Sequence, residues 1–321
     1  MSSEAEGKEN REFVHIPVLL NEVIEGLNID PDGIYIDGTA GGGGHSAAIC
    51  EKLSGGRLIA VDRDPEAVEA AKLRLEPYGS RATVVRANFL NLDKVLSGLG
   101  IEKANGFLLD LGVSSRQLDS ADRGFSYMKD APLSMKMESD AGFGAFDVVN
   151  GYTEEELCRI LRDWGEEPYA KRIARGIVEA RKKAPIETTL ELVKVVTSSI
   201  PDGGRSRTHH PAMRTFQAIR IEVNREIDVL KPALEKAVGL LSPGGRGCVI
   251  TFHSVEDRAV KECFASLAKG CICPKDFPVC VCGRRPSVRL VSGKPLIPGP
   301  DEIKNNPRAH SAKLRIIEKL T

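Results

Sequence analysis

The run Asp37-Gly-Thr-Ala-Gly-Gly-Gly-Gly-His45 follows directly on the apolar residues 33–36, and a second apolar stretch, residues 57–61, ends on Asp62. Glycines let a turn bring backbone N–H groups against a ligand without a Cβ in the way, and an acid ending the next strand can take a ribose diol in paired hydrogen bonds. The pattern predicts a βαβ unit that binds a nucleoside, which commits the chain to a parallel sheet. Two adenosine-bearing cofactors fit. Gly42-x-Gly44-x-x-Ala47 satisfies the dinucleotide pattern, with a pyrophosphate on a helix N-terminus. Asp37 instead suits the cationic amine or sulfonium of S-adenosylmethionine and would repel a pyrophosphate. Taken by itself, the loop also reads as an ordinary βα turn.

The rest of the chain is compatible with such a sheet. Strand-like segments recur at 33–36, 57–61, 82–86 and 106–111, alternating with helical patterns such as 66–75, which predicts a doubly wound α/β sheet. From about residue 153 to 200 only helices are expected, with capping boxes at Thr153/Glu156 and Thr188/Glu191 and a helix start at Pro168. A long helical stretch, 211–241, is closed by Ser242-Pro-Gly-Gly245, and strands return at 246–252 and 312–317. The division expected is a disordered tail at 1–11, a discontinuous core at 12–113 and 214–321, and an inserted, mostly helical substrate-recognition domain at 114–213. With 321 residues and 41% hydrophobic content, the chain can bury one large core and a smaller insert. No apolar run approaches the ~20 residues of a membrane span, and the N-terminus lacks a signal pattern, so no membrane association and a cytoplasmic location are expected. Forty-five basic and 45 acidic residues leave no global field, so any nucleic-acid binding must come from local patches.

Ligands of open α/β sheets bind beyond the carboxyl ends of the strands, where Asp37, Asp62, the Asn88-Phe89 pair and Asp110 fall. Asp64, before Pro65, is the better helix cap, which frees Asp62 for a ribose. Phe89 is placed to pack on an adenine face or in the core. In the segment 108–117 a strand ends on Asp110 and runs into Ser114 and Ser115. Methyl transfer from a sulfonium requires a nucleophile held in line, exclusion of water, and an acceptor for the charge that develops. Asp110, Ser114 and Ser115 are candidates for that last role; the competing reading is that they cap and turn the loop.

Eight motifs then occur in order: His15-Ile-Pro-Val-Leu-Leu-Asn-Glu-Val23, the glycine run through Ser46, Asp110-Leu-Gly-Val-Ser-Ser-Arg-Gln-Leu118, Arg123-Gly-Phe-Ser-Tyr-Met128, Pro132-Leu-Ser-Met-Lys-Met137, Phe216-Gln-Ala-Ile-Arg-Ile-Glu-Val-Asn224, Phe252-His-Ser-Val-Glu-Asp-Arg258 and Asn306-Pro-Arg-Ala-His-Ser311. Together they closely resemble the bacterial small-subunit ribosomal RNA (cytosine-N(4)-)-methyltransferase family, RsmH or MraW. The resemblance implies a Rossmann-like, class I S-adenosylmethionine-dependent methyltransferase sheet. The substrate it implies is a decoding-region cytosine of 16S ribosomal RNA in the small ribosomal subunit. Carried over, the cofactor contacts are Gly43, Gly44, His45, Asp62, Phe89, Asp110 and Gln117. Because Asp110 then sits at the cofactor and no Pro-Pro-aromatic follows it, another group must stack the base. Phe125, Tyr127, Phe252 and His253 are the candidates, and His253 is preferred for proximity. A non-catalytic ribosome-assembly factor and a dinucleotide-dependent oxidoreductase are the alternative functions, and self-association into a homodimer stays open.

Phosphate contacts are expected from Arg205, Arg207 and Arg214, where the insert rejoins the core, and from Arg220. The basic run 171–183 reads instead as a solvated helix face. Finally, Cys271, Cys273, Cys280 and Cys282 crowd into one segment. Four thiolates suit tetrahedral zinc, although Cys-x-Cys twice is tighter than the usual spacing; free thiols or a redox-labile loop are the other readings.

Overall fold

The computed structural model describes residues 17–321 except 115, 116, 119, 139, 141, 202–209, 275, 276 and 280, and of residue 121 the backbone only. The tail expected at 1–11 and the site candidates Ser115, Arg205, Arg207 and Cys280 lie outside the described residues. The chain opens with α1 (Leu20–Leu27), β1 (Ile34–Asp37), α2 (Gly44–Lys52), β2 (Arg57–Asp62), α3 (Pro65–Leu75), β3 (Ala82–Arg86), α4 (Leu92–Gly98) and β4 (Ala104–Asp110). Five helices follow: α5 (Ala145–Gly151), α6 (Glu154–Asp163), α7 (Ala170–Arg181), α8 (Thr189–Ser199) and α9 (Met213–Asn224). The chain closes with α10 (Glu226–Leu240), β5 (Leu241–Thr251), α11 (Ser254–Ala268), β6 (Val288–Leu290), α12 (Pro300–Asn305) and β7 (Lys313–Lys319).

The seven strands form one sheet in the order β3-β2-β1-β4-β5-β7-β6. Strands β1 to β5 pair in parallel, while β7 runs antiparallel between β5 and β6. The doubly wound sheet expected from the sequence is thus present, and its order reverses between β1 and β4, where such sheets open a ligand crevice. Period-two alternation sorts the strand side chains onto two apolar layers. Tyr35, Leu58, Leu108 and Ile250 pack with α1 and α2. Ile36, Ile59, Phe107, Leu109 and Val249 pack on the opposite face with α4, α10 and α11.

A third apolar cluster is built by the helices between β4 and β5, from Val148, Leu157, Ile160, Ile173, Ile177, Leu192 and Val196. It also takes Phe216 and Ile219 of α9. Both expected capping boxes are formed, at Thr153/Glu156 and Thr188/Glu191. The Thr153 hydroxyl accepts the Glu156 N–H at 3.2 Å and the Glu156 carboxylate accepts the Thr153 N–H at 2.8 Å. Thr153→Ala is expected to lower stability by about 1 kcal/mol in urea denaturation, because it orphans a first-turn donor. The basic run lies on α7, where Lys171, Arg172 and Arg175 are exposed, as a solvated face requires.

The structure departs from the local expectations in five places. The helix expected at Pro168 begins two residues later, because the Glu167 carboxylate accepts the Tyr169 N–H at 3.0 Å and holds the chain short of helix. Helix α5 carries no strong sequence signal and was not expected. The stretch 211–241 is two helices, broken where Arg225 adopts a left-handed φ of 51° and donates its N–H to the carbonyls of Ile221 and Glu222. The turn expected at 242–245 is an outward bulge inside β5: Ala104 pairs with Leu241 but Gly106 pairs with Arg246. Strand β6 was missed because three residues are too few to show alternation.

Candidate active site

Parallel pairing places Asp37 opposite Ala60 and Leu108, so β2 and β4 each run two residues further, ending on Asp62 and Asp110 at one edge of the sheet. Two connected hollows open there. The narrower has about 770 Å³ of empty space and is walled by Gly38, Thr39, Gly41, Asp62, Phe89 and Gln117. The wider, about 2230 Å³, lies between the insert and the sheet, lined by Arg214, Arg220, Phe252, His253, Arg308 and Lys313. The second is the roomier of the two. Asp110, Leu111, Gly112 and Ser114 line both, forming the sill between them.

Of the seven expected cofactor positions, Asp62, Phe89, Asp110 and Gln117 wall the narrow hollow, and Gly43, Gly44 and His45 stand behind its wall. Gly43 has a φ of 75° and packs against Ala71 and Arg74, while a Cβ on Gly44 would fall 2.5 Å from Pro17. The turn lines the hollow through Gly38, Thr39 and Gly41, the last with a φ of 52°. His45 is buried, its Nε2 2.9 Å from the Val18 carbonyl and its Nδ1 3.7 Å from Asp110.

Asp62 accepts the N–H groups of Gly41 and Asp64 at 2.8 and 2.9 Å. Burial nonetheless lifts its carboxyl above the usual range, partly offset by those bonds. Asp64 caps α3 as expected, and its second oxygen accepts from Gln117 Nε2 at 2.8 Å and Arg123 at 3.0 Å. Arg123 also donates to the carbonyls of Lys136 and Met137, a clamp the sequence reading missed although Arg123 stands in a quoted motif. Gln117 Oε1 accepts the Ser114 N–H, and Ser114 Oγ accepts the Gln117 N–H, so the two residues hold the turn of this loop together.

The sequence reading set Asp37 against the cofactor's cation; the structure turns it away. Asp37 is buried at the end of β1, where it accepts the Ser46 hydroxyl at 2.6 Å and the Thr39 N–H at 3.1 Å. Burial lifts its carboxyl to about 6 against those two bonds. Asp110 is the acid that faces the hollow. Its Oδ1 is buried and has no hydrogen-bond partner among the described residues. Its carboxyl is pushed up to about 8 by burial and by the neighbouring Asp37 and Glu256 charges. An orphaned acid so placed costs stability unless a cation or donor meets it.

The aromatic candidates separate. Phe125 is buried in the insert's core, and Tyr127 stacks on His210 at 4.7 Å and meets Phe216 edge-on, so neither lines a hollow. Phe252 and His253 line the wide crevice. His253 caps α11, with Nδ1 accepting the Glu256 N–H at 3.3 Å and Nε2 3.1 Å from the Glu256 carboxylate. Glu256 is buried and walls the narrow hollow. Burial would raise its carboxyl, but His253 and Arg220 outweigh that and hold it below the usual range. Arg220, expected on phosphate, lines the crevice with its side chain 16% exposed and its guanidinium bidentate to Glu226 at 2.9 Å on both arms. Arg214 fits that expectation better, donating one arm to the Glu166 carbonyl at the crevice mouth. Arg308, His310 and Lys313 join it on the crevice wall, the first two from the motif at 306–311, to which the sequence assigned no role.

A pyrophosphate does not suit the narrow hollow, because Asp62, Asp110, Glu226 and Glu256 line it against Arg63 alone among the cations. An adenosine carrying a positive centre does suit that acidic lining. Sheet and site together define a Rossmann-like, class I S-adenosylmethionine-dependent methyltransferase. The chain belongs to the MraW methylase family, whose model matches residues 12–320. It is 53% identical over 310 residues to ribosomal RNA small subunit methyltransferase H of Clostridioides difficile (strain 630), covering 96% of this chain and 100% of that one. The protein of the same name from Heliobacterium modesticaldum is 53% identical, with 96% and 99% covered. That from Lachnospira eligens is 52% identical, with 96% and 98% covered. No helix among the described residues is long and apolar enough to cross a membrane.

Proposed function

We propose that the protein methylates the exocyclic N(4) amine of a decoding-region cytosine in 16S ribosomal RNA, acting on the small ribosomal subunit. The observation that carries the reading is the sill: one buried carboxylate, with an oxygen left without a partner among the described residues, divides the narrow hollow at the strand ends from the roomier crevice, where a flipped-out nucleotide would enter. Bound S-adenosylmethionine supplies an electrophilic methyl group on a sulfonium.

The chain's residues do the rest. Asp62 takes the ribose diol, Phe89 packs on the adenine, and Gln117, fixed by Asp64, orients the bound group. Asp110 pairs with the cofactor's positive end. The cytosine amine enters over Gly112 and Ser114, where backbone and hydroxyl oxygens accept its hydrogens and help localise its lone pair for attack. Phe252 stacks the extruded base. Its neighbour His253, tied to Glu256, acts chiefly by holding that strand end in place and is the ring that accepts the departing proton. The insert, residues 114–213, grips the RNA with Arg205 and Arg207 on phosphates, and Arg214, Arg308 and Lys313 do so from the core, residues 12–113 and 214–321. Steering is local because the net charge is zero.

The test is to incubate the protein with methyl-labelled S-adenosylmethionine and small subunits from cells lacking the enzyme, then digest the RNA. Label in N(4)-methylcytidine is the expected result. Label in another nucleoside, or none while the cofactor binds, would overturn the reading.

A further inference from the structure

Residues 269–287, between α11 and β6, contain no helix or strand among the described residues. Such a connection exceeds the ~15 residues that compact domains ordinarily leave without secondary structure. Packing does not explain its path. Ile272, Phe277, Val279 and Val281 are all more than half exposed, at 52, 51, 70 and 74%. The loop therefore turns its apolar side chains outward and has no core of its own. What converges inside it is sulfur.

Cys271, Cys273 and Cys282 bring their thiols within 4.8 Å of one another, and Cys271 Sγ lies 3.7 Å from Cys282 Sγ. Four sulfurs around zinc at ~2.3 Å stand ~3.8 Å apart along each edge of the tetrahedron. The observed separation is one such edge, and it is far longer than a disulfide bond. Two backbone donors already face the sulfurs: the Cys273 N–H donates to Cys271 Sγ and the Val281 N–H to Cys273 Sγ, each at 3.4 Å. Amide donors at sulfur favour thiolate, the form a metal binds, and orient the ligand. The loop's return is anchored separately, since Arg284 donates to the Ser266 carbonyl at 2.6 Å and the Ser287 N–H to that of Leu267 at 3.0 Å.

We propose that Cys271, Cys273 and Cys282 bind one zinc ion that staples this loop. The ligands come from two arms of the chain separated by residues 274–281, so the ion closes a loop that no core holds. Its role is structural: α11 begins at the active-site crevice and runs 15 residues, some 22 Å at 1.5 Å per residue, before the loop starts. The proposal does not depend on the RNA substrate and stands or falls on metal content.

The test uses the full-length protein purified under reducing conditions from zinc-supplemented medium, with metal measured by mass spectrometry. About one zinc per chain is expected, falling to below a tenth of an equivalent in Cys271→Ser/Cys282→Ser, with cofactor affinity unchanged within twofold. A variant that failed to fold would not obscure the outcome, because wild-type thiols give a second readout. Zinc should protect Cys271, Cys273 and Cys282 from iodoacetamide, and a chelator should expose them and quicken proteolysis within residues 269–287. The proposal is overturned by unprotected thiols and no zinc in the wild type, by iron in its place, by full metal retention in the variant, or by a Cys271–Cys282 disulfide in rapidly alkylated cells.

Discussion

Asp110→Asn is expected to abolish most turnover while leaving the unliganded protein at least as heat-stable as the wild type. Both halves follow from one environment. The Asp110 carboxyl is raised to about 8 by burial and by the charges of Asp37 and Glu256, so ionising it costs the empty protein free energy and asparagine removes that cost. The bound cofactor's positive end offsets it in the wild type. Losing one partner of such a buried charge pair costs about 2–4 kcal/mol, a ~30- to 1,000-fold rise in cofactor Kd. Calorimetry carries the sharper test. At pH 7 the free carboxyl is mostly protonated, and pairing with a cation ionises it, so binding should release about one proton per cofactor, detectable as dependence on buffer ionisation enthalpy. The sign follows: affinity rises as pH rises toward 8, by up to about tenfold per unit, then levels as the carboxyl is ionised beforehand. In Asp110→Asn both proton release and pH slope should vanish. Wild-type cofactor affinity in the variant would sink the assignment of Asp110 to the cation.

Arg220→Ala is expected to destabilise the fold by about 3–5 kcal/mol, because it strands the Glu226 carboxylate, 8% exposed, beside Glu256 and His253. Denaturant unfolding should show the loss with little dependence on salt, since the pair is shielded from solvent. Arg214→Ala is the contrasting variant. It should leave the unfolding midpoint within about 0.5 kcal/mol and weaken RNA binding with a shallower salt slope. If Arg220→Ala instead kept wild-type stability and lost only RNA affinity, the phosphate-binding role expected from the sequence would be restored to it.

These two residues show where sequence reading stops. Arg220 and Arg214 look alike in the sequence, two arginines near the point where the insert rejoins the core. The break at Arg225 separates their fates: by ending α9 in a left-handed turn it brings Glu226 back onto Arg220. That φ of 51° sits on an arginine, a residue that gives no local warning of it. Asp37 and Asp110 are likewise both strand-end acids. Which of them faces the cofactor depends on side-chain direction at the sheet edge and on Ser46 at the start of α2, which takes the Asp37 carboxylate inward. Both facts depend on how the chain turns between the partners, and no spacing rule reads them.

What the sequence by itself determined is whatever local chemistry enforces. The glycine turn, the cap at Asp64 with Pro65 behind it, the two threonine capping boxes and the alternation of apolar segments are each specified within a few residues, and they suffice for the doubly wound sheet and the position of its crevice. The eight ordered motifs add the family. Only the tertiary structure decided which polar groups are consumed by the protein and which are left for a ligand. Arg220 is spent on Glu226 and Asp37 on Ser46, whereas one oxygen of Asp110 is left without a partner among the described residues. Hydrogen-bond capacity is satisfied by whichever donors packing brings within about 3 Å, and no local pattern names them in advance.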